Sequence, residues 1–239
     1  MKKFCITLLI SIVAFSIGYA QTGDKVSVSI LGDSYSTFEG YVVPDTNAVW
    51  YQLDKTRKDN DVTSVEQTWW HQLLKKNGWK LCVNNSFSGS TISSSGYGGN
   101  DYTDRSFVTR APFLGNPDVI FIFGGTNDSW VPSPIGEYKD SGWTTEDLKA
   151  FRPSLEKLLN YMKRRYLNVD IYFILNSELS EEINASVSAI CARHSVPVIE
   201  LHDIEKKAGH PSIEGMKAIS QQVDEFIKQR NKKKVAVGE

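Results

Sequence analysis

The sequence has little that would suit it to a metal, a nucleic acid or a membrane interior. Three cysteines and four histidines are spread over 239 residues. They do not stand at the short H-x-x-x-H or C-x-x-C spacings that zinc ligands adopt. Lys and Arg number 27 against 28 Asp and Glu, so the basic excess that draws a protein to nucleic acid or anionic lipid is missing. Beyond the first twenty residues no apolar run is long enough to cross a bilayer. Internal repeats and an interdomain linker are also lacking, which argues against arrays and multidomain chains.

The first twenty residues are the exception to this plainness. Lys2 and Lys3 precede an apolar run from Phe4 to Ile17, and Gly18-Tyr19-Ala20 places small residues at the −3 and −1 positions of a cleavage site. Residues 1–20 are therefore read as a signal peptide cleaved before Gln21, and the protein as exported to the periplasm or medium. Cys5 lies inside the apolar run, which excludes it as a lipid-attachment site. Cleavage leaves 25 Lys and Arg against 28 acids, a formal charge of −3, and a chain (21–239) sized for one domain. The basic stretch from about 230 to 239 is expected to be a flexible, solvated tail. Cys82 falls in an apolar strand and Cys191 in a much later helix, so both are expected as free thiols, not as a disulfide.

Five short apolar runs, Val26–Leu31, Lys80–Val83, Val119–Phe123, Asp170–Leu175 and Pro197–Leu201, alternate with helical patterns. Such alternation predicts an α/β fold with a parallel sheet and helices on both faces. Ser64-Val65-Glu66-Gln67 reads as a capping box opening the helix "TWWHQLLKKN", which should end at Gly78. In "TTEDLKAFRPSLEKLLNYMKRRY", Pro153 should kink or divide a long helix. Two stretches exceed what such a fold needs: an aromatic-bearing connection over 36–63 and the Ser/Gly-rich 86–104. Both leave carboxyl ends of strands, where open α/β sheets build their sites.

Four features converge on that edge. "ILGDSYSTFEG" ends the first strand in Gly32-Asp33-Ser34, where a turn is the plain reading and a strand-end nucleophile the sharper one. "NNSFSGST" supplies Gly89 after the second strand, and a glycine N–H can approach a ligand closely. "FGGTND" supplies Asn127, a neutral side-chain donor, after the third. "AGHPSIEG" supplies His210 after the fifth. A serine, a base and donors for an oxyanion are the requirements of acyl transfer.

These four blocks, in this order over about residues 26–228, resemble those of the SGNH (GDSL) hydrolase superfamily. The resemblance implies a three-layer α/β/α, flavodoxin-like fold with five parallel strands, and ester hydrolysis without metal or other cofactor. It makes Ser34 the nucleophile and His210 the general base. The N–H groups of Ser34 and Gly89 and the Asn127 amide then form the oxyanion hole. No G-x-S-x-G surrounds Ser34, which counts against an α/β-hydrolase. One departure stands out. Where the family has an Asp three residues before the histidine, this chain has Lys207, which cannot accept the imidazole N–H. A backbone carbonyl is the favoured replacement, with Glu205 and Asp203 as alternatives.

His71 and His194 read as ordinary structural residues, and His202 as the competing base, placed too close to its strand to reach Ser34. Asp33 and Asp128 read as loop-stabilising acceptors. Trp50, Trp69, Trp70 and Trp79 read as core, whereas Tyr97 and Trp130 sit in site-side loops, where they either stack on a sugar ring or anchor the loop. The expected activity is hydrolysis of small-molecule or glycan esters, first of short acyl groups on carbohydrate. A lipid or lysophospholipid acylhydrolase and a catalytically silent glycan-binding module are the alternatives.

Overall fold

A computed structural model describes residues 25–53 and 59–237; the expected signal peptide lies outside them. Five strands form the central sheet: β1 (Ser27–Gly32), β2 (Lys80–Asn84), β3 (Val119–Phe123), β4 (Asp170–Leu175) and β5 (Val198–Glu200). All pair in parallel, in the order β2-β1-β3-β4-β5. The β3 and β4 bounds coincide with the apolar runs in the sequence, and the others shift by a residue.

Side chains alternate across each strand, so the sheet divides the interior into two cores. Val28, Ile30, Phe121, Phe123, Tyr172 and Ile174 face one side. Helices α1 (Trp69–Asn77) and α6 (Ile213–Val237) cover it with Trp69, Trp70, Leu73, Met216, Ile219 and Val223. Leu31, Ile120, Ile122, Ile171 and Phe173 face the other side. There α2 (Phe107–Arg110), α4 (Phe151–Arg165) and α5 (Glu181–Arg193) pack with Phe107, Phe151, Leu155, Leu159, Ile183 and Ile190. This is the expected three-layer arrangement. Helix α3 (Thr126–Trp130), a small hairpin of β6 (Lys206–Lys207) and β7 (His210–Pro211), and short 3-10 turns complete the described elements. Cys82 and Cys191 are free thiols on β2 and α5.

Two local expectations are corrected. The Ser64–Gln67 box closes a 3-10 turn, Val65–Gln67, with the Ser64 N–H donating to Gln67 Oε1 at 3.1 Å. Helix α1 has its own cap, Thr68, whose hydroxyl oxygen accepts the His71 N–H. Pro153 neither kinks nor divides α4: the chain breaks earlier, at Ala150, leaving Pro153 in the first turn, where its missing N–H costs no hydrogen bond. Helix α6 runs through the basic stretch beyond 230 as far as Val237, with Asn231, Lys232 and Lys233 exposed. Among the described residues no helix is long and apolar enough to cross a membrane.

Candidate active site

Ser34 opens a tight 3-10 turn, Ser34–Ser36, directly off β1. Asp33 caps it, Oδ1 accepting the Tyr35 N–H at 3.0 Å. Gly32 is required by close approach, since a Cβ there would lie 2.6 Å from Ser86 Oγ and 2.7 Å from Ser36 Cβ. The Ser34 turn is therefore wedged against the loop that follows β2. Asp33 is fully buried, and burial pushes its carboxyl up to about 7, against the pull of the Tyr35 N–H and the Arg110 guanidinium.

His210 arrives from the far end of the chain on β7. Lys207 and His210 face each other across a two-residue hairpin whose central residues, Ala208 and Gly209, both have positive φ (50° and 72°), the signature of a type I′ turn. The turn bends the Ala208 carbonyl to 3.0 Å from His210 Nδ1, while Nε2 lies 2.9 Å from Ser34 Oγ. A carbonyl can only accept, so Nδ1 carries the proton and Nε2 is left to accept from the serine hydroxyl. Both side chains are buried. The acceptor is thus the backbone carbonyl favoured from the sequence. Glu205 is instead held by the Ser212 hydroxyl at 2.6 Å, and Asp203 lies exposed beside His202. Lys207 points away to Asp61, with Nζ and Oδ2 2.5 Å apart.

The carbonyls beside His210 are clamped from the Ser34 side of the fold. The Tyr35 hydroxyl donates to Gly209 O at 2.7 Å and the Tyr51 hydroxyl to Pro211 O at 2.9 Å. Asn60 Nδ2 donates to Lys207 O and Pro211 O, each at 3.2 Å. Around the imidazole, Trp50 stacks at 3.5 Å with planes 6° apart, and Trp130 meets it edge-on at 5.8 Å. Trp50 thus belongs to both descriptions, packed against the core as expected and also stacked on the candidate base.

Asn127, at the start of α3, is oriented from both ends. Its Nδ2 donates to Ser90 O at 2.9 Å, and its Oδ1 accepts from the Tyr97 hydroxyl at 2.8 Å. The Ser90 carbonyl can only accept, which fixes the amide and leaves its second N–H for another acceptor. The same contact brings the Gly89 loop beside Asn127. Gly89 has φ +81°, a conformation that glycine adopts without the strain a side chain would add. The loop is braced by buried Arg110, whose guanidinium donates to Ser90 Oγ at 2.8 Å and to Asn85 O. It is braced also by Asp128, which accepts from the Ile92 and Ser93 N–H groups at 2.7 and 3.1 Å. Of the two rim aromatics, Tyr97 commits its hydroxyl to Asn127, and Trp130 stands 43 % exposed. Sequence reasoning missed Trp50, Tyr35, Tyr51 and Arg110 as site residues, although the first three lie in or next to the aromatic-bearing 36–63 connection. Among the described residues no His, Cys, Asp and Glu group has the form of a metal site.

The arrangement is suited to acyl transfer, with a serine hydroxyl bonded to a base, the base oriented by a third group, and an amide donor on the same rim. Residues 26–227 match the family model described as GDSL-like lipase/acylhydrolase. A crystal structure of a protein assigned as a GDSL-like lipase from Bacteroides ovatus is 60% identical, with a TM-score of 0.84 over 86% of this chain and 99% of that one. A second, from Bacteroides uniformis, is 50% identical with the same TM-score, over 86% and 96%. Est24, a carbohydrate acetylesterase from Sinorhizobium meliloti, shares the fold at 15% identity and a TM-score of 0.58, over 86% and 99%. No curated protein matches the chain.

Proposed function

The chain belongs to the GDSL-like lipase/acylhydrolase family, within the SGNH hydrolases, and is an ester-bond hydrolase; on that premise we propose that it is an exported serine esterase working through a Ser34–His210 dyad. The observation that carries this reading is the relay from Ser34 Oγ to His210 Nε2 and from Nδ1 to Ala208 O, at 2.9 and 3.0 Å. Ser34 Oγ attacks the ester carbonyl carbon while His210 Nε2 takes its proton. The carbonyl oxygen becomes an oxyanion, received by the N–H groups of Ser34 and Gly89 and the free N–H of Asn127. Collapse expels the alcohol, which takes the proton from Nε2, and leaves Ser34 acylated. Water, deprotonated by His210, then attacks the acyl carbon, releasing the carboxylic acid and restoring the serine.

The substrate favoured is a short acyl group, acetyl first, on a carbohydrate. Trp130 and Tyr97 support it, because both present exposed ring surface at the site's rim, where a sugar face can stack. The lipid or lysophospholipid reading draws on Leu53, 66% exposed and two residues from Tyr51 in the same connection. Hydrolysis of p-nitrophenyl esters from acetyl to long-chain acyl, with Ser34→Ala as control, tests the reading. Turnover that falls with chain length supports the acetyl substrate, and turnover that rises supports the lipid one. A folded protein with no Ser34-dependent turnover on any of these or on acetylated sugars is a silent glycan-binding module. The leader-like first twenty residues support export, which N-terminal sequencing of the mature protein tests by finding Gln21 first.

A further inference from the structure

The imidazole of His210 is covered on one face by the Trp50 indole, 3.5 Å away and within 6° of parallel. This stack is not incidental loop packing. The Trp50 N–H donates to Thr37 Oγ1 at 2.8 Å, and Thr37 Oγ1 donates to the Ser34 carbonyl at 2.9 Å. Two hydrogen bonds therefore tie the backbone under the indole to the nucleophile's own turn. The next residue, Tyr51, is held by its hydroxyl on Pro211 O, one residue beyond His210. The indole is thus fixed with respect to both members of the dyad.

A tryptophan face attracts a cation through its quadrupole, more strongly where water is excluded. During attack the imidazole becomes an imidazolium, and His210 is buried. Its Nδ1 meets a neutral carbonyl at the hairpin, where the family's arrangement would bring the carboxylate that Lys207 replaces. We propose that Trp50 is a positioning residue for His210: its indole holds the imidazole plane toward Ser34 and stabilises the imidazolium as the serine proton arrives. This inference rests on the Ser34–His210 assignment above and deepens it.

Among the described residues, the other groups facing His210 do not supply the same effect. Tyr35 and Tyr51 lie 5.3 and 6.4 Å from it ring to ring, and burial keeps both phenols protonated. Trp130 meets the imidazole edge-on at 5.8 Å, not face to face. Asp61 and Lys207 on the hairpin side are paired with each other. Asp33 is buried behind the serine near Arg110 and titrates in the neutral range, so the histidine must be observed by a site-resolved signal.

The test replaces Trp50 by mono-, di- and trifluorotryptophan, which keep the ring's shape while draining its face of negative charge. Trp50→Leu is a fourth variant. The His210 ring is titrated by NMR, and kcat/KM for an acetyl ester is followed against pH. The expected result is a stepwise fall in the His210 pKa, about one pH unit across the series. The acidic limb of kcat/KM moves down with it, and the plateau drops ~2–30-fold, the equilibrium factor of a cation–π contact of this kind. A His210 pKa that stays fixed or rises along the fluorinated series overturns the inference, whether or not Trp50→Leu folds. The two readings fail separately. A falling pKa without Ser34-dependent hydrolysis defeats the esterase assignment, whereas a constant pKa with full turnover defeats only the role of Trp50.

Discussion

Tyr97→Phe removes one oxygen atom and leaves the ring in place, so it separates holding Asn127 from stacking on a substrate. In the parent the Tyr97 hydroxyl donates to Asn127 Oδ1 at 2.8 Å, and burial pushes that hydroxyl up to about 12, so it is a donor at every practical assay pH. The amide keeps its second anchor, the 2.9 Å bond to Ser90 O. The loss is therefore one hydrogen bond in a half-exposed setting, about 0.5–1.5 kcal/mol, or roughly 2–12-fold in rate. Asn127→Ala removes the donor itself and should cost on the order of 10²–10³ in kcat. Steady-state kinetics on one soluble acetyl ester, for the parent, both single variants and the double variant, complete the cycle. The expected pattern is a lower kcat with little change in KM for Tyr97→Phe, and no further loss when it is added to Asn127→Ala. A higher KM with unchanged kcat would refute the reasoning, as would losses that simply multiply, since either makes Tyr97 a substrate contact independent of Asn127.

Lys207→Ala should leave kcat/KM within about twofold of the parent and shift the melting temperature little, because it breaks only a half-exposed ion pair with Asp61. Lys207→Asp should not raise activity, because Ala208 O already occupies Nδ1 and the new carboxylate would face Asp61; a faster Lys207→Asp enzyme would contradict the carbonyl relay. Asp33 should make the fold less stable as pH rises. Its folded pKa of about 7 exceeds the ordinary aspartate value of 3.8, so the stability it contributes is complete below about pH 4 and lost as pH passes 7. Asp33→Asn retains an oxygen acceptor for the Tyr35 N–H, and thermal melts from pH 4 to 8 should show a flatter decline in this variant, by at most about 4 kcal/mol. An equally steep decline would assign the pH dependence to other groups.

The sheet was legible in the sequence because each central strand is a short apolar run closed by turn residues. Val119–Phe123 and Asp170–Leu175, buried on both faces apart from Asp170, are bounded by their own composition. That Ser34, Gly89, Asn127 and His210 fall in loops at one edge of the sheet was legible because parallel strands deliver their following loops there. The vacancy of the acid position was legible too, since a lysine cannot do an acceptor's work. The clamps around His210 were not. Tyr35 and Tyr51 reach partners 174 and 160 residues away, and such contacts leave no local period or motif. Trp50 looked like core because half of it is core; its stack on His210 depends on a hairpin whose two-residue turn carries Ala208, not a favoured Asn or Asp, at positive φ. Pro153 was misread because a proline's effect depends on its place in the helix, which only the break at Ala150 reveals.

The central claim is that Ser34 is a nucleophile activated by His210, and covalent labelling by a fluorophosphonate reads that activation without any assumption about the substrate. Intact-mass spectrometry of the folded protein should show a single adduct, peptide mapping should place it on Ser34, Ser34→Ala should abolish it, and His210→Ala should slow its formation by orders of magnitude. A folded parent that acquires no adduct at Ser34, or one labelled equally fast without His210, would contradict the account.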